Sequence, residues 1–297
     1  MAMPNPFKPI SIPVKSRIAP TPSGYLHEGN LLSFAFTRLL TDAYHGQLLL
    51  RIDDVDAERV RPAYIEDIFH SLKKFGLHWE KGPVSPEDFA QMWSQQHALH
   101  RYKHALDRLA ESNLVYACHC SRQQRFAGTP CHCLQEFLPL NTPDAAWRIQ
   151  VPAGTHITWH DGLLGEVQID LSATMGDFVV RRKNQWPAYQ VASLSDDLHY
   201  GINLVVRGED LANSTAAQLY LSHCLHLPSF ADTLFFHHPL LYNSAGQKLS
   251  KSAGHAAAVI APFISYEMLL SCVGSGIEDP RLLFDGLMRC FQQKKEP

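Results

Sequence analysis

The 297-residue chain lacks a long apolar run: the longest, residues 256–264, is interrupted by Pro262. That is far short of the ~20 residues a membrane-spanning helix needs, so no membrane association is expected. The opening stretch, MAMPNPFKPISIPVK, has prolines where a secretory signal needs an apolar core, and a cytoplasmic location is the expectation. A surplus of one charge is missing too. With 26 Lys and Arg against 29 Asp and Glu, the formal net charge is −3. This argues against a nucleic-acid binder built as one basic surface and leaves room only for a local basic groove. No internal repeat or low-complexity tract stands out.

Cysteine is scarce and odd in number, 7 in all, which speaks against a secreted disulfide scaffold. What is present points to a folded core. Hydrophobic residues make up 45% of the chain, aromatic residues 10% and charged residues only 19%, a balance that excludes disorder. The length suits one elaborated domain or two.

Hydrophobic spacing organises the first third. Residues 11–20 are β-biased, 21–29 are loop-like with Pro22, Gly24 and Gly29, and a helical period starts at Asn30. Its apolar face is Leu31, Leu32, Phe34, Ala35, Leu39, Leu40 and Ala43. Residues 48–52 are too short for a helix and suit a buried parallel strand, so the opening module reads as βαβ. Tyr64, Ile65, Ile68, Phe69, Leu72 and Phe75 then share a helical face between Pro62 and Gly76, and Leu99, Tyr102, Leu106 and Leu109 share another. From Tyr116 the pattern changes to cysteines, prolines and short β-like runs at 146–151, 155–159, 166–171 and 178–182. These are expected to form one small inserted domain. A buried strand at 202–206, a helix capped by Asn213, an apolar run at 233–242 and a helical tail complete the chain. The expected division is 1–115 and 188–260 for two halves of one α/β domain, 116–187 for the insert and 261–297 for the tail.

Two loops carry chemistry. His27, Glu28, Gly29 and Asn30 sit where a strand gives way to a helix, whose unpaired N–H groups and positive dipole end favour a phosphate. Taken alone, the tetrapeptide reads more readily as a helix cap at Asn30 beside a surface histidine. Far downstream, Lys248, Leu249, Ser250, Lys251 and Ser252 follow a turn-forming stretch, 243–246, and could clamp a triphosphate. Together the two resemble the HIGH and KMSKS elements of class I aminoacyl-tRNA synthetases.

The resemblance narrows to the glutamyl-tRNA synthetase family, including its truncated glutamyl-Q tRNA(Asp) synthetase branch. RIAPTPSGYLH at 17–27 resembles RFAPSPTGxLHxG, RIDDVD at 51–56 resembles RIEDTD, and 177–197 resembles DFVLRR…AYxLAxxxDD. VRGED at 206–210 and KLSKS at 248–252 complete five blocks in family order. The resemblance implies an α/β fold, the Rossmann-like parallel sheet of class I synthetases with an inserted zinc-bearing α+β subdomain. It implies a ligase that activates glutamate with ATP and Mg²⁺ and transfers it to tRNA. Residues 253–297 are too few for the anticodon-binding region of full-length relatives, which favours the truncated branch and esterification of queuosine in tRNA(Asp). A different acceptor (a tRNA 3′ end, a protein or a small molecule) and a non-catalytic paralogue binding an amino acid or RNA stay as alternatives, and a monomer is expected.

Carried over by position, Arg17, Ala19, Thr21, Tyr189 and Arg207 would form the amino-acid pocket, Arg17 meeting the side-chain carboxylate. His27, Gly29, Asn30, Lys248, Ser250 and Lys251 would hold ATP, with His27 and Lys251 catalytic. Asp53 departs from the pattern. It stands where the family has the glutamate that accepts from the substrate ammonium, and its carboxylate is one methylene shorter.

Cys118, Cys120, Cys131 and Cys133 form two Cys-x-Cys pairs with Gly128 and Pro130 between them to turn the chain. Four thiolates suit one structural Zn²⁺. Relatives use a Cys-x-Cys pair, a tyrosine and a later cysteine, so Cys131 stands in for the oxygen ligand. His119 and His132 are weaker candidates, and Cys224, Cys272 and Cys290 have no assigned role.

Overall fold

The computed structural model describes residues 13–121, 124, 131–240, 265–273 and 279–293. Its spine is a six-stranded sheet in the order β2-β1-β8-β9-β5-β6. These strands are β1 (Lys15–Ile18), β2 (Gln47–Leu50), β5 (His156–Asp161), β6 (Gly165–Asp170), β8 (Leu204–Gly208) and β9 (Leu234–His238). β2, β1, β8, β9 and β5 run parallel, and β6 returns antiparallel to β5 as a hairpin. A separate antiparallel sheet joins β3 (Val115–Cys118), β4 (Ala146–Ile149) and β7 (Phe178–Arg181).

The central strands are apolar on both faces because successive side chains point to opposite sides of a sheet covered twice. Leu48, Leu50, Val206 and Phe236 enter one core cluster. Their neighbours Leu49, Val205 and Phe235 enter the other. Helix α1 (Glu28–Ala43) and the terminal helices cover the first face; α4 (Tyr189–Tyr200) and α5 (Ala212–Cys224) cover the second. Fully burying a leucine or phenylalanine contributes about 1.5–3 kcal/mol, so these rows dominate the stabilisation. One glycine is dictated by the packing: a Cβ at Gly162 would run into the ring of Phe236.

Local signals set the helix ends. Helix α2 (Pro62–Phe75) has proline in its first turn and stops at Gly76, whose φ of 76° is left-handed and lets its N–H reach back to Leu72 and Lys73. Helix α3 (Leu99–Glu111) follows with Tyr102, Leu106 and Leu109 buried.

Three local expectations change. Helix α1 starts at Glu28, two residues early, because His27 and not Asn30 is the N-cap. Asn213 caps nothing: α5 begins at Ala212, with Leu211 in the cap position and no side-chain cap bond. The β-like runs expected in one insert divide between two sheets. β3, β4 and β7 stay together, whereas the β5–β6 hairpin extends the main sheet through Asp161 opposite Phe235. Alternating apolar residues specify a strand and leave its partner unspecified.

Candidate active site

Strand order places the site. From β1 the chain crosses through α1 to β2 on one side, and from β8 it crosses through α5 to β9 on the other. The crossovers diverge between β1 and β8, and α1 and α5 lie on opposite faces. That divergence opens a crevice beyond the carboxyl ends of the two strands, where ligands of open α/β sheets bind. A cavity of about 350 Å³ lies there. Arg17, Ala19 and Thr21 enter it from β1 and its continuation, His27, Gly29 and Asn30 from the start of α1, Tyr189 from the start of α4, and Arg207 from the end of β8.

The α1 end is tied by a reciprocal capping box. Asn30 N–H donates to His27 Nδ1 at 3.3 Å, and His27 N–H donates to Asn30 Oδ1 at 3.2 Å. The box fixes the first helical turn where its dipole faces the cavity, a position that favours an anionic group.

Arg207 is buried and only partly satisfied. Its Nη2 donates to Gln218 Oε1 at 3.1 Å, while Nε and Nη1 are buried with no partner, as is Gln218 Nε2. Burial lowers the guanidinium pKa to about 10, so it stays cationic near neutral pH. Arg17 is anchored behind the cavity by donating from Nε to Asp197 Oδ1 at 3.0 Å. Two buried arginines thus line one cavity, and one of them keeps two donors unpaired.

Asp53 is placed differently. Its backbone N–H bonds Pro20, but its carboxylate turns to Arg51, accepting from Nε at 2.7 Å and Nη2 at 3.2 Å, and it is not part of the cavity wall. Lys248, Ser250 and Lys251 lie outside the described residues. Sequence reasoning passed over Arg51 and Asp197, which brace the site from behind. It also passed over His238 on the cavity wall, which bonds Ser33 Oγ at 2.9 Å and stacks on Phe284. The paired acids at 196–197 were the available signal, since their spacing from Ser193 puts them on one side of α4.

The four cysteines converge at the end of β3. Their sulfurs all lie within 4.8 Å of one another, with Cys118–Cys131 and Cys120–Cys133 each 3.8 Å apart. Burial and hydrogen bonds from neighbouring thiols push Cys120 up to about 12, whereas at Cys131 hydrogen bonds outweigh burial and pull it down; were all four ionised at this spacing, a cation would be needed to neutralise them. The group could hold a metal ion.

A family model described as tRNA synthetases class I (E and Q), catalytic domain, matches residues 13–125 and 141–261. The chain belongs to this family. It is therefore a member of an aminoacyl-tRNA synthetase-like ligase family. Among curated relatives, a glutamyl-Q tRNA(Asp) synthetase of Neisseria meningitidis serogroup B is 37% identical over 79% of this chain and 79% of its own length. One from Dechloromonas aromatica is 35% identical over 90% of this chain and 88% of its own. Among solved structures, the glutamate-tRNA synthetase of Elizabethkingia anophelis superposes with a TM-score of 0.68 at 22% identity, covering 81% of this chain and 53% of that one. The chain thus spans about half the length of that structure, and the likeness establishes the class I fold, a mainly parallel sheet flanked by helices. Among the described residues no helix is long and apolar enough to cross a membrane.

Proposed function

We propose that the chain activates glutamate with ATP as an aminoacyl-adenylate and transfers it to tRNA, at the queuosine of tRNA(Asp). The observation that carries the reading is that buried Arg207, with no carboxylate partner among the described residues, lines the same cavity as Arg17. A dicarboxylate amino acid would supply the missing counter-charge through its side chain, and a buried donor left unpaired costs about 1–3 kcal/mol. The curated relatives named glutamyl-Q tRNA(Asp) synthetase support the same choice of amino acid and acceptor.

In this reading Arg17 and Arg207 hold the side-chain carboxylate, and Ala19, Thr21 and Tyr189 close the pocket around it. His27, Gly29 and Asn30 meet the phosphates of ATP at the α1 N-terminus, with Mg²⁺ accompanying the nucleotide. The glutamate α-carboxylate attacks the α-phosphate and pyrophosphate leaves; esterification of queuosine then releases AMP. Lys251, with Lys248 and Ser250, would neutralise charge growing at the α-phosphate. The protein's contribution is positioning and electrostatics. Asp53, held by Arg51, stands off the cavity wall and is given no contact with the substrate ammonium.

We also assign one structural Zn²⁺ to Cys118, Cys120, Cys131 and Cys133. With Zn–S bonds near 2.3 Å, a tetrahedral S₄ site has sulfur–sulfur edges of about 3.8 Å, which the two closest pairs match. The ion would hold the end of β3 against the segment that follows. Chelation is expected to lower the melting temperature and release one zinc per chain by elemental analysis; a metal-free chain that melts unchanged removes the assignment.

Transfer is tested with labelled glutamate and tRNA whose 3′ diol has been destroyed by periodate. Label on oxidised tRNA(Asp) is the expected result. Label only on unoxidised tRNA points to the 3′ end, and label on neither removes tRNA as acceptor.

A further inference from the structure

Behind the cavity lies a line of four buried charges. Asp53 accepts from Nε and Nη2 of Arg51; Arg51 Nη1 donates to Asp197 Oδ1 at 2.6 Å; and the same oxygen accepts from Arg17 Nε at 3.0 Å. All four residues are at most 5% exposed. Asp53 and Arg51 come from the segment after β2, Asp197 from α4 and Arg17 from β1, so the line ties three elements of the catalytic fold together. Only Arg17 reaches the cavity. Two arginines and two aspartates cancel, which leaves Arg207 as the uncompensated charge, with no carboxylate partner among the described residues.

We propose that Asp197 is a positioning residue for the amino-acid site, fixing Arg17 through the relay Asp53–Arg51–Asp197–Arg17. The inference rests on the reading of the cavity as a glutamate site. Asp197 touches neither substrate nor cavity. It fixes the guanidinium plane of Arg17 by holding Nε, while Nη1 points to the carbonyl of Val206 at 3.5 Å, so Nη2 is the nitrogen left for a ligand. A freely turning arginine would satisfy a carboxylate in many poses; a fixed one selects a single pose.

Two effects of removing the Asp197 charge oppose each other, which makes the proposal decidable. Losing an acid behind two arginines raises the positive potential and tightens any anion that responds to charge alone. Losing the anchor lets Arg17 turn and weakens an anion that needs geometry. The positioning role predicts that the second effect wins.

The experiment measures steady-state ATP–pyrophosphate exchange by the full chain, with glutamate and ATP varied in turn. For Asp197→Asn the glutamate KM is expected to rise about 10- to 100-fold while the ATP KM stays within about twofold. A glutamate KM that is unchanged or lower, or KM values that rise together, overturns the proposal. If Asp197→Asn does not fold, Arg51→Lys keeps both carboxylates and the charge but breaks the branched link, and the same split decides. Wild-type chain with no exchange for any of the twenty amino acids defeats the functional reading instead. Asp197 is then judged by calorimetric titration with glutamate, where Asp197→Asn binding glutamate as tightly as wild type overturns the positioning role, and weaker binding supports it.

Discussion

Two buried polar clusters flank the same pair of strands and are built to opposite rules. At His237, both ring nitrogens and both oxygens of its partner Asp161 are used. Nδ1 bonds Asp161 Oδ2 at 2.5 Å, the other ring nitrogen meets Thr215 Oγ1 at 2.8 Å, and Asp161 Oδ1 accepts the backbone N–H groups of Leu163, Leu164 and His237. Directly opposite His237 on the neighbouring strand β8, Arg207 keeps two nitrogens unpartnered. A buried pair whose hydrogen bonds are made holds the fold together, whereas unpaired buried donors cost stability. The first fastens the β5–β6 hairpin to β9 and α5. The second faces the cavity.

The comparison breaks first at Arg207. Arg207→Met is expected to reduce kcat/KM for glutamate by at least about 30-fold, the loss of a buried charged contact worth about 2–5 kcal/mol. Its melting temperature should hold or rise, because a buried guanidinium with orphan donors is removed. A fall in melting temperature with kinetics intact would assign Arg207 to the fold.

Asp161→Asn is expected to do the reverse. Removing one partner of a buried pair costs about 3–5 kcal/mol in denaturant unfolding, with the glutamate KM of the folded protein unchanged. A KM shift without a stability loss would place this cluster in the site.

The pH response sharpens the same contrast. Burial would push Asp161 up, but the hydrogen bond and charge of His237 and the backbone donors hold it below the usual carboxylate range. A depressed folded pKa contributes stability that is present above the unfolded value of about 3.9 and is lost as pH falls through the folded value. The stability gap between wild type and Asp161→Asn should therefore shrink as pH drops below about 4. Asp53, Asp54 and Asp196, each pushed up by burial, respond in the opposite sense in both proteins and cancel in the difference. A gap that stays constant to low pH would contradict the pairing. The smallest effect is expected at the exposed pair Lys103–Asp107, where Lys103→Ala should cost under about 0.5 kcal/mol in the same unfolding assay.

What could be read in the sequence was local. The 3.6-residue period of Leu31 to Ala43 marked α1, Pro62 and Gly76 marked the ends of α2, and the cysteine spacing marked a cluster that does converge. The five ordered motifs marked Arg17, His27, Gly29, Asn30, Tyr189 and Arg207, which the crevice brings to one cavity. What escaped was non-local. Asp161 meets His237 across 76 residues and Arg51 meets Asp197 across 146, distances over which no periodicity carries information. The β5–β6 hairpin was legible as strands, but its partner depended on the edge of β9. Asp53 was legible as a departure; that its shorter carboxylate settles on Arg51 depended on where α4 places Ser193 and Asp197 around that guanidinium.

The central claim is that the unsaturated arginine cluster receives a side-chain carboxylate during ATP-dependent activation. ATP–pyrophosphate exchange by the full chain across the twenty amino acids tests it most directly. Exchange driven by glutamate and far more weakly by glutamine is the predicted result, because a carboxamide cannot neutralise Arg207. Equal exchange with both, or exchange only with an amino acid lacking a side-chain carboxylate, would contradict it.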